Sequence, residues 1–184
     1  MNEEQLLTTI ISYIRSRYFG KYRGTVSDNA DPTSRGRIKV RVPAVWGELE
    51  VWAMPCVPYA GAGVGFYSLP KNGSGVWVEF EAGDPSYPIW TGCFWADNEL
   101  PDDADADIKI WKTDAVTLRM HDGDDEWRAE TSNGAKITIT DEIKSEKGSS
   151  SQVISSSNVV SESGSRVEVS ATSVNVNNGA LEVV

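Results

Sequence analysis

The chain has 184 residues, 40% of them hydrophobic, and a formal net charge of −10, which repels phosphate backbones and anionic lipid and so argues against nucleic-acid or membrane-surface binding. That length holds one full domain plus a smaller appendage, and no apolar run approaches the ~20 residues needed to span a bilayer. Acidic Glu3-Glu4 and the interrupted pairs Leu6-Leu7 and Ile10-Ile11 do not form a signal peptide, so folding in the cytoplasm is expected.

Residues 3–19 place Leu6, Leu7, Ile10, Ile11, Ile14 and Tyr18 at the spacing of an amphipathic helix, with Arg15 and Arg17 near its C-terminal end. Its apolar stripe needs cover. Packing across the end of the following β body is the favoured expectation, and contact with a partner is the alternative.

From Lys21 the pattern changes to strands and turns. A strand at 22–27 breaks at Asp28-Asn29-Ala30-Asp31-Pro32. In residues 37–43, Ile38, Val40 and Val42 alternate with Arg37, Lys39 and Arg41. Three cations on one sheet face suggest a phosphate-binding stripe, but pairing with outward Glu48, Glu50, Glu79 and Glu81 is the better expectation in an acidic chain. A third strand covers 48–54.

Gly61, Gly63 and Gly65 then fall in a loop with neither GxxxxGK[ST] nor GxGxxG before a helix, so a phosphate cradle is not indicated. A loop folded tightly against the barrel or another subunit is expected. The clearest hairpin spans 73–92: Val76, Val78 and Phe80 alternate with Trp77, Glu79 and Glu81, Gly83-Asp84-Pro85 turns the chain, and a strand at 88–94 follows. Five strands in about seventy residues suit a small closed Greek-key barrel, the oligonucleotide/oligosaccharide-binding (OB) architecture. Cys56 and Cys93 lack CxxC spacing and are expected to be buried thiols, with a strand-bridging disulfide as the alternative.

Residues 97–107 carry Asp97, Glu99, Asp102, Asp103, Asp105 and Asp107 and are expected to be an acidic linker; neither they nor His121-Asp122-Gly123-Asp124-Asp125-Glu126 follow a cation-loop pattern. Beyond residue 108 come short alternating runs at 108–110, 116–118, 137–139, 167–169 and 174–176, with serine dominating 145–173. Disorder is one reading of that composition. Against it, Ser132-Asn133-Gly134-Ala135 is echoed by Asn177-Asn178-Gly179-Ala180, which suggests a repeated turn-then-strand unit. Short strands bury an apolar face only when stacked or wound around identical chains, so a trimeric β-helical rod cored by small aliphatics is expected.

Asp31-Pro32, residues 36–43, Trp52-Ala53, Ala60-Gly61, Leu69-Pro70, residues 75–85 and 88–92 together resemble the OB domain of phage baseplate assembly protein V and the related tail-spike and valine-glycine repeat proteins of contractile injection systems. Residues 118–122, 130–135 and 137–139 resemble the passage of that family into its β-helix.

The resemblance implies an all-β fold with an N-terminal helix (1–20), a five-stranded OB barrel (21–96), an acidic linker (97–107) and a C-terminal trimeric β-helix (108–184). It further implies a homotrimeric central spike in the virion tail baseplate, assembled in the host cytoplasm, seated on a hub protein at the tube end. The target membrane would be touched only during puncture. Fewer than twenty residues separate Trp95 from Ile108, too few for the lysozyme domain of some members, and the chain lacks a terminal His-x-His tip. It stops instead at apolar Leu181-Glu182-Val183-Val184, which suggests a separate tip protein.

Two other functional classes compete. Trp46, Trp52, Trp77 or Trp90 could stack single-stranded nucleic acid or glycan. Glu79 and Glu81, ~7 Å apart on one strand face, could cleave peptidoglycan, but facing cations would lower their pKa values. The expectation is a protein that is not an enzyme and binds no nucleic acid, with no catalytic, cofactor or metal residue assigned.

Overall fold

The computed structural model describes residues 2–101 and 105–184. Asp102 and Asp103, part of the expected acidic linker, lie outside the described residues. The chain divides into two compact units, Met1–Glu99 and Leu100–Val184.

In the first unit, α1 (Glu3–Arg15) is followed by β1 (Tyr22–Asp28), β2 (Ile38–Arg41), one helical turn α2 (Pro43–Trp46) and β3 (Glu50–Pro55). A small hairpin of β4 (Ala60–Gly61) and β5 (Val64–Gly65) precedes β6 (Gly75–Phe80) and β7 (Pro88–Phe94). The long strands close a barrel in the order β1-β2-β3-β7-β6, with β3 and β7 parallel and the other neighbours antiparallel.

The alternation seen in sequence sets the barrel core. Ile38, Val40, Val42, Val76, Val78 and Phe80 are buried with Val26, Ala53 and Trp90, while their strand neighbours face out. Pro43 ends the second strand earlier than expected. It lacks the N–H that a ladder needs and suits the first position of a helical turn, where α2 begins. Gly75 is required by packing: a Cβ there would lie 2.6 Å from the Phe94 ring.

The expected packing of the N-terminal helix on the barrel does not occur. No residue of α1 is buried, and Leu6, Leu7, Ile10, Ile11 and Ile14 are 44–60% exposed. The reason is that the chain closes the barrel end with aromatic rings from elsewhere. Phe80 has Tyr22, Trp46 and Tyr18 around it at centroid distances of 5.5, 5.3 and 6.0 Å. The helix also stops at Arg15, short of residue 19, because the Tyr18 N–H donates to Gly83 O at 2.8 Å and Arg17 pairs with Asp84 at 2.9 Å.

The outward cations are paired, though not all as expected. Lys39 and Arg41 face Glu50, and Arg41 also reaches Glu48. Glu79 instead pairs with Lys21 at 2.8 Å, and Glu81 lies past the strand in a 3-10 turn, so neither meets the β2 cations. Arg37 turns to Asp31 in the preceding loop. The Asp31 carboxylate, 3% exposed, accepts from the Thr33, Arg35 and Arg37 N–H groups, the Thr33 hydroxyl, and Arg37 Nε and a terminal guanidinium nitrogen. One side chain thereby organises residues 31–37.

The second unit is a single ten-stranded sheet in sequential order, with every neighbouring pair antiparallel. Its strands are β8 (Ile108–Lys112), β9 (Val116–His121), β10 (Glu126–Thr131), β11 (Ala135–Ile139), β12 (Ile143–Lys147), β13 (Ser150–Ile154), β14 (Asn158–Ser163), β15 (Ser165–Ser170), β16 (Val174–Val176) and β17 (Leu181–Val183).

This differs from the expected β-helix. Each strand turns straight back onto the one before it, so the backbone ladder is satisfied within one chain. Thr140, Ser155 and Ser170, evenly spaced at 15 residues, build turns along one edge, each hydroxyl oxygen accepting from N–H groups two or three residues on. Gly134, Gly148, Gly164 and Gly179 mark the other edge at positive φ. The echo between 132–135 and 177–180, 45 residues apart, therefore spans three 15-residue units.

The Asp31 carboxyl is held well below its ordinary value of 3.8, chiefly by Arg37, and Glu50 below its ordinary 4.5, chiefly by Arg41. Both folded values lie below the unfolded ones. Their contribution to stability is therefore complete above about pH 5 and is lost as pH falls below the unfolded values toward the folded ones. Calorimetry from pH 7 to pH 2 is expected to show this loss. Asp31→Asn should lower the thermal midpoint at pH 7 by about 5 °C or more and flatten the acid slope; an unchanged midpoint would show that the loop does not depend on Asp31.

Candidate interaction surface

The side chains with a chemical reading in sequence are occupied by structural contacts. Trp90 is 5% exposed in the barrel core, with Nε1 donating to Gly36 O at 3.4 Å, and Trp46 packs edge-on against Phe80. Arg23 covers Trp77 at 5.0 Å and Phe94 at 4.8 Å, and Arg37 lies 5.3 Å over Trp52. A base or sugar would have to displace a core contact or a cation from each of these rings.

Glu79 and Glu81 do not form a pair of carboxylates on one strand face, since β6 ends at Phe80. His121 Nδ1 accepts the Asp124 N–H at 3.0 Å, and Lys109 pairs with Asp122. Among the described residues, no group of three His, Cys, Asp or Glu side chains could hold a metal ion. Cys56 and Cys93 are free, so the disulfide is not formed, and both are exposed instead of buried. Cys56 lies just past the end of β3, and Cys93 is next to last in β7. The glycine-rich segment is an exposed hairpin and does not fold down onto the barrel.

The surface that stands out is one face of the second unit. Its registers align Met120, Trp127, Ile139, Ile143, Ile154, Val159, Val169, Val174 and Val183 in one row across nine strands. Beside it runs a second row, from Leu118, Ala129 and Ile137 to Val167, Val176 and Leu181, interrupted by Ser145, Gln152 and Ser161. At ~4.8 Å between strands the row, which crosses eight inter-strand gaps, is about 38 Å long. Most of its large side chains are exposed, from 37% for Trp127 to 60% for Val183, while Leu118, Val159 and Val176 are half-buried, and no described residue of β8–β17 is buried.

The opposite face is polar and paired internally. Arg119 meets Glu126, Lys136 and Lys144 meet Glu146 at 2.9 and 2.8 Å, and Arg166 meets Glu168 at 2.9 Å. Lys144, then Lys136, hold the Glu146 carboxyl below its ordinary value, and Arg166, then Asn158, do the same for Glu168. These pairs, Arg119–Glu126 and Lys136–Glu146 across strands and Lys144–Glu146 and Arg166–Glu168 along one strand, satisfy the charged face in water. The apolar face has no such resolution: a contiguous apolar strip of this length marks an interaction surface.

Sequence reasoning found the apolar runs at 137–139, 167–169 and 174–176 but missed that β12–β14 continue the row. Serine at the intervening positions hid it. The signal was present in the spacing of Ile143, Ile154 and Val159, which only the turn geometry brings opposite one another.

If the tryptophans are structural, filter binding at low salt should retain no single-stranded oligonucleotide. Retention that Trp52→Ala or Trp77→Ala abolishes would overturn that assignment.

No curated protein matched the chain. Residues 22–95, the span of the barrel, match the family model described as the Type VI secretion system/phage-baseplate injector OB domain. This supports a structural role at a baseplate and bears out the resemblance read from the motifs of the barrel. The barrel of this chain is thus similar in sequence to the Type VI secretion system/phage-baseplate injector OB domain, and the rest of the chain lies outside the match.

Proposed function

We propose that three copies of the chain bring the apolar faces of their C-terminal sheets together around one axis, and that the resulting rod is the central spike of a contractile phage tail or phage-like injection system. The observation that carries this reading is the strip from Met120 to Val183: apolar, exposed, and backed by a face whose charges are already paired. A single-layer sheet without a buried residue cannot offset the entropy of ordering ten strands, so the face needs cover.

Geometry supports three sheets. Strands of five or six residues are ~17–20 Å long, and an equilateral triangle of that side has a centre ~5 Å from each wall, about half the ~10 Å spacing of packed sheets. One layer of side chains from each sheet fills such a prism. Valine and isoleucine suit that depth, and the charge ladders then face water.

In this reading residues 1–20 form the helix, 21–96 the barrel seated on a hub protein at the tube end, 97–107 the acidic linker and 108–184 the spike. The spike plugs the tube and pierces the target envelope on contraction, touching the membrane only then. A rod whose backbone groups are paired within each sheet transmits force without a separable strand. The exposed C-terminal residues Leu181, Val183 and Val184 suit a separate tip protein. The assembly is made in the host cytoplasm and resides in the virion tail baseplate.

Light scattering coupled to gel filtration should give a mass near three times 20.1 kDa. Val169→Glu, which places a charge in the middle of the apolar row, should reduce it to one chain with the barrel still folded. A dimeric mass, or a trimer unaffected by this substitution, would overturn the arrangement.

A further inference from the structure

The helix α1 has no role in the barrel, yet it is well formed. Asn2 Oδ1 accepts the Gln5 N–H at 2.8 Å, Gln5 Oε1 accepts the Asn2 N–H at 3.1 Å, and Glu3 and Glu4 lie in the first turn. Thr8 and Thr9 donate their hydroxyls to the Glu4 and Gln5 carbonyls. At 13 residues it is ~20 Å long and marginal in water without a tertiary partner. Its own barrel offers none, because Tyr18, Tyr22 and Trp46 already cover Phe80 at that end.

The order of its apolar residues indicates what covers it. Leu7, Ile10 and Ile14 fall at a, d and a of a heptad, with Leu6 and Ile11 at the flanking g and e positions and Ser12 opposite at f. Leucine at a with isoleucine at d favours three or four helices over two, and apolar e and g positions widen the seam in the same direction. That is the copy number inferred from the sheet, from a different part of the chain. We infer that the N-terminal helices of three copies associate as a parallel three-helix bundle, a second self-association site distinct from the sheet face. The inference rests on the three-copy reading for its stoichiometry and for the tethering that brings the helices together.

The anchoring of the helix makes this feasible despite its length. Only Ser16 separates α1 from Arg17 and Tyr18, which are pinned to the barrel at Asp84 and Gly83. In a symmetric assembly the three helices therefore start from equivalent points. Their association is then effectively intramolecular, at the roughly millimolar effective concentration of short tethers, which lets the short seam of Leu7, Ile10 and Ile14 form where free peptides would not sustain it.

Site-directed cross-linking tests it on the full chain with Cys56→Ser and Cys93→Ser. Ile10→Cys, in the seam, should give covalent dimers on mild oxidation at least tenfold faster than Ser12→Cys, on the opposite face. Ile10→Asn should lower the helical circular-dichroism signal while leaving the trimeric mass. Equal rates at the two positions, or no cross-link at Ile10→Cys in a chain of trimeric mass, would overturn the bundle while leaving the sheet interface standing. In a chain that also carries Val169→Glu the Ile10→Cys cross-link should slow at least tenfold, because the tether is then lost; an unchanged rate in a chain of monomeric mass would overturn the tethered bundle.

Discussion

The cross-strand register of β8–β17 is the constraint on which the second unit depends. Side chains alternate faces with a period of two, so a slip of one residue at any hairpin would carry Ile154, Val169 or Val174 onto the charged side and bring Lys144 or Glu168 onto the apolar one. The turns prevent such slips. Thr140, Ser155 and Ser170 fix one edge through hydroxyl contacts with the backbone, and the glycines at 134, 148, 164 and 179 fix the other. Register and turn spacing thus express one 15-residue repeat, and its product is a sheet with one charged face and one exposed apolar face.

The first unit follows the opposite logic. Its apolar side chains are enclosed by one chain, because five strands closing on themselves leave no uncovered inner face. Its loops are held by polar groups in place of a repeat. Asp31 gathers the N–H groups of Thr33, Arg35 and Arg37 and the Arg37 guanidinium, which in turn lies over Trp52. A barrel built this way encloses its apolar side chains within one chain, whereas the sheet that follows it in sequence does not. Burial is therefore concentrated in the first unit, and exposed apolar surface lies on the sheet and on the helix α1.

Much of the barrel was legible because its signals are local. Ile38, Val40, Val42, Val76, Val78 and Phe80 each declare their face by alternation, and Pro43 and Gly83 punctuate the strands. What could not be read was decided by pairs distant in sequence. Arg37 chose Asp31 over a neighbouring strand, Glu79 took Lys21, and the ring of Tyr18 occupied the site where the helix was expected. Periodicity fixes which side of a strand a residue occupies but not which of several carboxylates or rings arrives first. The surface offered the same lesson: Ile143, Ile154 and Val159 are unremarkable in a serine-rich stretch until hairpins set them side by side.

By itself, then, the sequence determined the all-β character, the barrel core, the amphipathic helix and the family resemblance of residues 22–95, because each is written in short-range alternation or in an ordered string of motifs. Only the tertiary structure decided that residues 108–184 pair within one chain as an antiparallel sheet, that their aliphatics form a continuous exposed face, and that α1 is left uncovered. These features depend on registers and on competition for space between segments, and both are set when the chain closes on itself.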